Sequence, residues 1–151
     1  RDSVASRGLG DVYKRQTYLV LPYLRRGSFI YQIASSAGFA PQPGFTVYAA
    51  TKAYVKSFSI ALRQELSWRE IKVTAVCPGP VKTEFFDRAY EQEEMKFYKK
   101  FVIAAPKKVV RKAIRDARKN KAVSVYGMTM KVTRIICKFL PGRWIAKIMG
   151  K

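Results

Sequence analysis

Two apolar, β-branched runs separated by a long helical pattern constrain this chain more than any other feature. Residues 28–35 form the first run and residues 71–77 the second. Between them, residues 45–67 carry Tyr54, Val55, Phe58, Ala61, Leu62 and Leu66 at helical spacing. Short apolar strands of this kind read as buried on both faces, the habit of a parallel sheet. A strand, a helical crossover and a second strand then make one parallel unit. Each run ends in turn residues: Gly38, Pro41, Pro43 and Gly44 after the first, Pro78 and Gly79 after the second. Loops at the carboxyl ends of parallel strands are where open α/β sheets hold ligands.

Three chemically capable residues fall at those loops. Ser35 closes the first strand, and Tyr48 and Lys52 stand four apart near the start of the helix. That spacing puts the phenol and the ammonium on one helix face. An ammonium near a phenol favours the phenolate, which suits proton transfer. A serine hydroxyl arriving from the neighbouring strand is placed to hold a carbonyl oxygen beside it. Here the chain resembles the short-chain dehydrogenase/reductase family, whose pattern is a Ser, a Tyr thirteen residues on and a Lys four after that. The resemblance extends to Ala34-Ser35-Ser36-Ala37-Gly38 before the pair and to Cys77-Pro78-Gly79-Pro80-Val81-Lys82-Thr83 after it. It implies an α/β fold with a Rossmann-like, doubly wound parallel sheet. It further implies that Ser35 positions a carbonyl oxygen and that Tyr48 is the general acid or base. Lys52 would assist Tyr48 and bond the nicotinamide ribose. Pro78, Gly79, Val81 and Thr83 would hold the nicotinamide side of the cofactor, NAD or NADP.

The chain has 151 residues, whereas one-domain α/β folds of this family usually need about 250. No Gly-rich strand-to-helix turn occurs: Gly8-Leu9-Gly10 is too short and follows no apolar strand. The family's Asn-Ala-Gly strand end and its helix Asn are also missing. The expectation is a C-terminal part of a longer enzyme, itself inactive, with the N-terminal half missing. Residues 1–16 carry no initiator Met and no sustained period, and read as a translated adapter scar; a genuine helix start is the alternative. Residues 17–127 then form the catalytic part and residues 128–151 a basic helical extension.

Lys and Arg number 30 against 10 Asp and Glu, a net charge of +20, and no acidic residue follows Asp116. Such a tail suits nucleic acid or an anionic membrane surface, but no nucleic-acid motif supports the first. Cys77 and Cys137 lack metal spacing and His is absent, which argues against zinc or a disulfide scaffold. No apolar run approaches the length of a membrane span.

Beyond the second strand, residues 84–102 are rich in Phe, Tyr and Met. They correspond to the family's substrate-covering region, so Phe85, Phe86, Tyr90, Phe97 and Tyr98 are candidates for pocket or core. Pro106 opens a helix with a stripe of Val109, Val110, Ala113, Ile114 and Ala117. Residues 122–126 read as a last short strand closed by Gly127. After it, Val132, Ile135, Ile136, Phe139 and Leu140 recur at helical spacing, and Trp144, Ile145, Ile148 and Met149 continue past Pro141-Gly142. Two uses fit this basic amphipathic pair: docking on the enzyme's own body or dimer partner, or lying on anionic lipid.

Two functions of different class are therefore carried forward. The first is a fragment of an oxidoreductase that moves a hydride between NAD(P)(H) and a carbonyl or alcohol, expected in the cytoplasm, as a homo-oligomer, with peripheral membrane contact. The second is a non-catalytic basic module that binds an anionic membrane surface or nucleic acid.

Overall fold

The computed structural model describes residues 9–82 and 103–150. Its elements are helix α1 (Leu9–Val20), strand β1 (Phe29–Ile33), helix α2 (Thr46–Glu65), strand β2 (Lys72–Val76), helix α3 (Pro106–Arg118), strand β3 (Val123–Ser124), helix α4 (Met128–Phe139) and helix α5 (Gly142–Met149). Single 3-10 turns at Leu21–Tyr23, Ser36–Phe39 and Ser67–Arg69 join them. The three strands make one parallel sheet in the order β1-β2-β3. Phe29 pairs with Lys72 and Ile33 with Val76. Val76 pairs with Ser124 in turn.

β2 is covered on both faces. Against α2, Leu62, Leu66, Ile71 and Val73 form one buried cluster, with Ile30 and Phe58 packed on it. Towards the strand ends, Ala34, Val55, Ala75, Cys77 and Val125 form a second. On the opposite face Val76 meets Val109 and Ala113 of α3. The long central helix forms because its apolar positions recur every three to four residues. Val55, Ser59 and Leu62 are almost wholly buried.

β1 departs from the expectation of burial on both faces. Gln32 points inward and is buried, whereas Phe29, Tyr31 and Ile33 alternate outward and remain exposed. Among the described residues only β2 pairs with β1, on one edge. A strand that has a helix layer on one side alone shows the period-two burial of a one-faced sheet. The inward Gln32 is satisfied: its Nε2 donates to Thr17 Oγ1 at 2.6 Å, and that hydroxyl donates to the Tyr13 carbonyl at 2.7 Å.

The front of the chain also departs from expectation. Residues read as aperiodic are drawn into α1, which runs unbroken across the boundary between residues 16 and 17. Tyr13 is half-buried against the Ala34–Val55 cluster. The expected helix over 45–67 is slightly shorter, because Leu66 leaves helical geometry before the 3-10 turn. The stretch 84–102, with Phe85, Phe86, Tyr90, Phe97 and Tyr98, lies outside the described residues. The Pro106 helix and the two C-terminal helices form as expected. Gly127, at φ 85°, supplies the left-handed turn before α4.

Candidate active site

The carboxyl ends of β1 and β2 lie side by side, and the sequence-selected residues collect there. The Ala34 amide donates to the Val76 carbonyl at 2.9 Å, and the Ser36 amide donates to the Pro78 carbonyl at 2.8 Å. These bonds tie the loop bearing Ser35 to the loop bearing Pro78 and Gly79. Ser35 is extended and caps the following 3-10 turn, its Oγ accepting from the Ala37 amide at 3.1 Å. A serine oxygen used as an acceptor keeps its own O–H as a donor.

α2 presses that turn into place. A Cβ on Gly38 would stand 2.6–2.7 Å from backbone atoms of Lys52 and Ala53, so only glycine permits the approach. Lys56 completes the clamp, with Nζ donating to the Gly38 carbonyl at 2.8 Å and lying 5.4 Å from the Phe39 ring centre. The sequence analysis did not single out Lys56. Its position four residues after Lys52 was the available signal, because it puts both ammoniums on one side of α2.

Tyr48 and Lys52 stand one turn apart on α2, with Lys52 Nζ 5.7 Å from the Tyr48 ring centre. Lys52 is buried, an uncommon condition for lysine. Its Nζ donates to the Ile33 carbonyl at 2.9 Å and to the Tyr13 hydroxyl at 3.3 Å. A buried ammonium needs such oxygens to offset lost hydration. Tyr13 was missed by sequence reasoning, and nothing in its local pattern marks it.

Pro78 and Gly79 follow β2 after Cys77 and are half-buried. A Cβ on Gly79 would meet the Met130 side chain of α4 at 2.8 Å, so α4 closes over this turn. Beside it opens a cavity of about 240 Å³, lined in part by Gly79, Pro80, Ala104, Tyr126, Thr129 and Met130. Val81 bridges to Ala104 as a single parallel pair, and the Ala104 amide donates to the Pro80 carbonyl at 3.0 Å. Thr83 lies outside the described residues. Ser35, Tyr48, Lys52, Pro78, Gly79 and Val81 are thus gathered at one end of the sheet, on two loops and one helix face.

Cys77 sits beneath them, fully buried. Burial pushes its thiol up to about 11 against the smaller opposing pull of Lys56, Arg134 and Lys52. A neutral buried thiol is a poor nucleophile, and Cys77 belongs to the core. No group of three or more His, Cys, Asp or Glu that could hold a metal ion occurs among the described residues. The arrangement offers a proton donor or acceptor, a hydroxyl that can hold an oxygen, and a buried cation beside them.

Known proteins resemble this chain in sequence and fold. The family model of the short chain dehydrogenases matches residues 13–94, more than half of the chain. An uncharacterized short-chain type dehydrogenase/reductase of Sinorhizobium fredii is 36% identical over 96 residues, which is 63% of this chain and 39% of that protein. Among solved structures, a short-chain dehydrogenase from Sphingobium yanoikuyae in complex with NADPH is similar at 29% identity and a TM-score of 0.57. The match covers 78% of this chain and 41% of that one. A 7beta-hydroxysteroid dehydrogenase shares the fold with a TM-score of 0.70 at 15% identity, over 92% of this chain and 53% of that one. The chain spans about two fifths of the length of the Sinorhizobium relative it matches.

Proposed function

This chain belongs to the short-chain dehydrogenase family, and on that premise we propose that it is the C-terminal, active-site-bearing part of an NAD(P)-dependent oxidoreductase that interconverts a carbonyl and an alcohol. The observation that carries the reading is the juxtaposition of Tyr48 and buried Lys52 on one face of α2 with the Ser35 and Pro78-Gly79 strand ends. The outward apolar side of β1 supports the placement in the parent fold, since further strands and a helix layer would cover it. An adapter scar over residues 1–16 would be foreign to the parent enzyme. The family match begins at residue 13 and helix α1 runs unbroken past residue 16, which favours the alternative of a genuine helix start for residues 13–16.

The residues divide the work as follows. The Ser35 hydroxyl donates to the substrate oxygen and fixes its position. Tyr48 passes its proton to that oxygen during reduction and takes it back during oxidation. Lys52, already ordered by the Ile33 carbonyl, sets its Nζ beside the Tyr48 ring. Among described partners it uses two of an ammonium's three donors, and a third would bond the ribose of a nicotinamide cofactor. Pro78, Gly79, Val81 and Thr83 would line the nicotinamide side. The nicotinamide cofactor supplies or accepts the hydride when bound. The Sphingobium relative's complex with NADPH supports a nicotinamide cofactor for this chain.

The test uses the parent enzyme, with its own upstream half restored. Tyr48→Phe keeps the ring and its packing and removes only the hydroxyl. Turnover is expected to fall by about 10²- to 10⁴-fold while cofactor binding persists. Lys52→Ala is expected to weaken turnover and cofactor binding together. If Tyr48→Phe kept more than about a tenth of the rate, Tyr48 would not be the acid.

A further inference from the structure

Helix α4 has two apolar faces, and only one of them is used. The inner face sets Met130 against the Ala34–Cys77 cluster, with Thr133 and Cys137 half-buried beside it. α5 is anchored likewise through buried Ile145, and Gly142 lies against Pro41. The face of α4 opposite Met130 carries Val132, Ile135, Ile136 and Phe139, which are 50%, 59%, 48% and 76% exposed. These positions recur at helical spacing and form one continuous stripe. Trp144 and Ile148 of α5, 55% and 68% exposed, extend the apolar surface. Docking on the body therefore consumes one side of the helix pair and leaves the other bare.

The charges around this stripe select its occupant. Lys131, Arg134 and Lys138 flank it on α4, Arg143 and Lys147 on α5, and all five lie in segments without a single acidic residue. A second copy would bring the same cations against themselves, on a chain of net charge +20. A polyanion such as nucleic acid would satisfy the cations and leave the large apolar side chains in water. We infer that the outer face of α4 and α5 lies on a membrane surface bearing anionic lipid. An apolar stripe flanked by Lys and Arg is the composition of an interfacial helix, with apolar side chains at the acyl boundary and cations at the headgroups. No described helix is long and apolar enough to cross a membrane, so the contact is a surface one.

The inference does not depend on the chemistry at Tyr48 and is tested on the chain itself. Trp68 is replaced by Phe so that Trp144 is the sole tryptophan. Phosphatidylcholine vesicles, with and without phosphatidylglycerol, are titrated while Trp144 emission is followed. The expected result is a blue shift and saturable binding with phosphatidylglycerol, at least about tenfold tighter than without it, weakening as salt rises. Lys131→Gln and Lys138→Gln should each weaken binding by about fivefold. Phe139→Asp and Ile135→Asp should abolish it, and both positions are exposed enough that circular dichroism should stay unchanged. Equal affinity for both vesicle types, or binding indifferent to Phe139→Asp, overturns the inference. So do self-association removed by Phe139→Asp without vesicle binding, tighter binding to an oligonucleotide than to the vesicles, and a Trp144 shielded from soluble quencher before any lipid is added.

Discussion

At the scale of single residues, the site depends on a glycine as much as on its polar groups. Gly38 lets the Ser36–Phe39 turn sit directly on the α2 backbone beside Lys52. Gly38→Ala would force a methyl into backbone atoms that cannot swing aside as a side chain can. The expected cost is about 1–3 kcal/mol, the usual range for overpacking, read as a lower denaturant midpoint. An unchanged midpoint would mean that the turn has room to lift. Tyr48, Lys52 and Ser35 were legible in the sequence because their spacing sets them on one helix face and one strand end. Tyr13 and Lys56 were not, since each acts through a contact with a distant segment. Cys77 illustrates the reverse case: it lies among the site residues, yet burial keeps the thiol protonated and inert at neutral pH.

At the scale of elements, one buried carboxylate joins α3 to β3. Asp116 is 2% exposed and accepts from Lys112, from Ser124 Oγ at 2.8 Å and from Lys121 Nζ at 3.2 Å. Burial, the largest influence, pushes its carboxyl up, but the three hydrogen bonds together outweigh it and hold the carboxyl below its ordinary value. A depressed carboxylate contributes stability that is fully present above the unfolded value, near 3.9, and is lost as pH falls through the lower folded one. Asp116→Asn should therefore destabilise by roughly 1.5–3 kcal/mol at neutral pH. The gap between variant and wild type should shrink below about pH 4. Urea midpoints measured across that range decide it, and a gap that stays constant would remove Asp116 as the titrating group. The sequence showed Asp116 only as an isolated acid in a basic tail; its burial and its three donors come from α3 folding back on β3.

At the scale of the whole molecule, the sheet is finished on one side and open on the other. β2 has helices on both faces, while β1 presents Phe29, Tyr31 and Ile33 outward. Val110 and Ile114 of α3 add exposed apolar surface, 55% and 38% accessible. An exposed strand edge and a contiguous apolar patch are sites of association. The isolated chain is expected to bind an apolar dye such as ANS and to aggregate as its concentration rises. On the proposed reading, a longer parent enzyme that covers β1 should do neither. Phe29→Lys and Ile33→Lys should reduce dye binding in the chain alone; if they left it unchanged, the dye would be reporting the α4–α5 face instead.

The sequence by itself determined the strand–helix–strand unit, the Pro106 helix, the turn at Gly127 and the amphipathic C-terminal pair. These follow from local period and turn chemistry, which a chain displays before it folds. It also brought out Ser35, Tyr48 and Lys52 as candidates, whose spacing is local to one strand end and one helix. Only the tertiary structure decided what lies against each face. It left β1 bare on one side, drew residues 9–16 into a helix that touches Lys52, buried Asp116, and split α4 into an anchored face and an open one. Periodicity states which residues share a face. The partner for that face is set by contacts between segments far apart in the chain, and no local pattern encodes it.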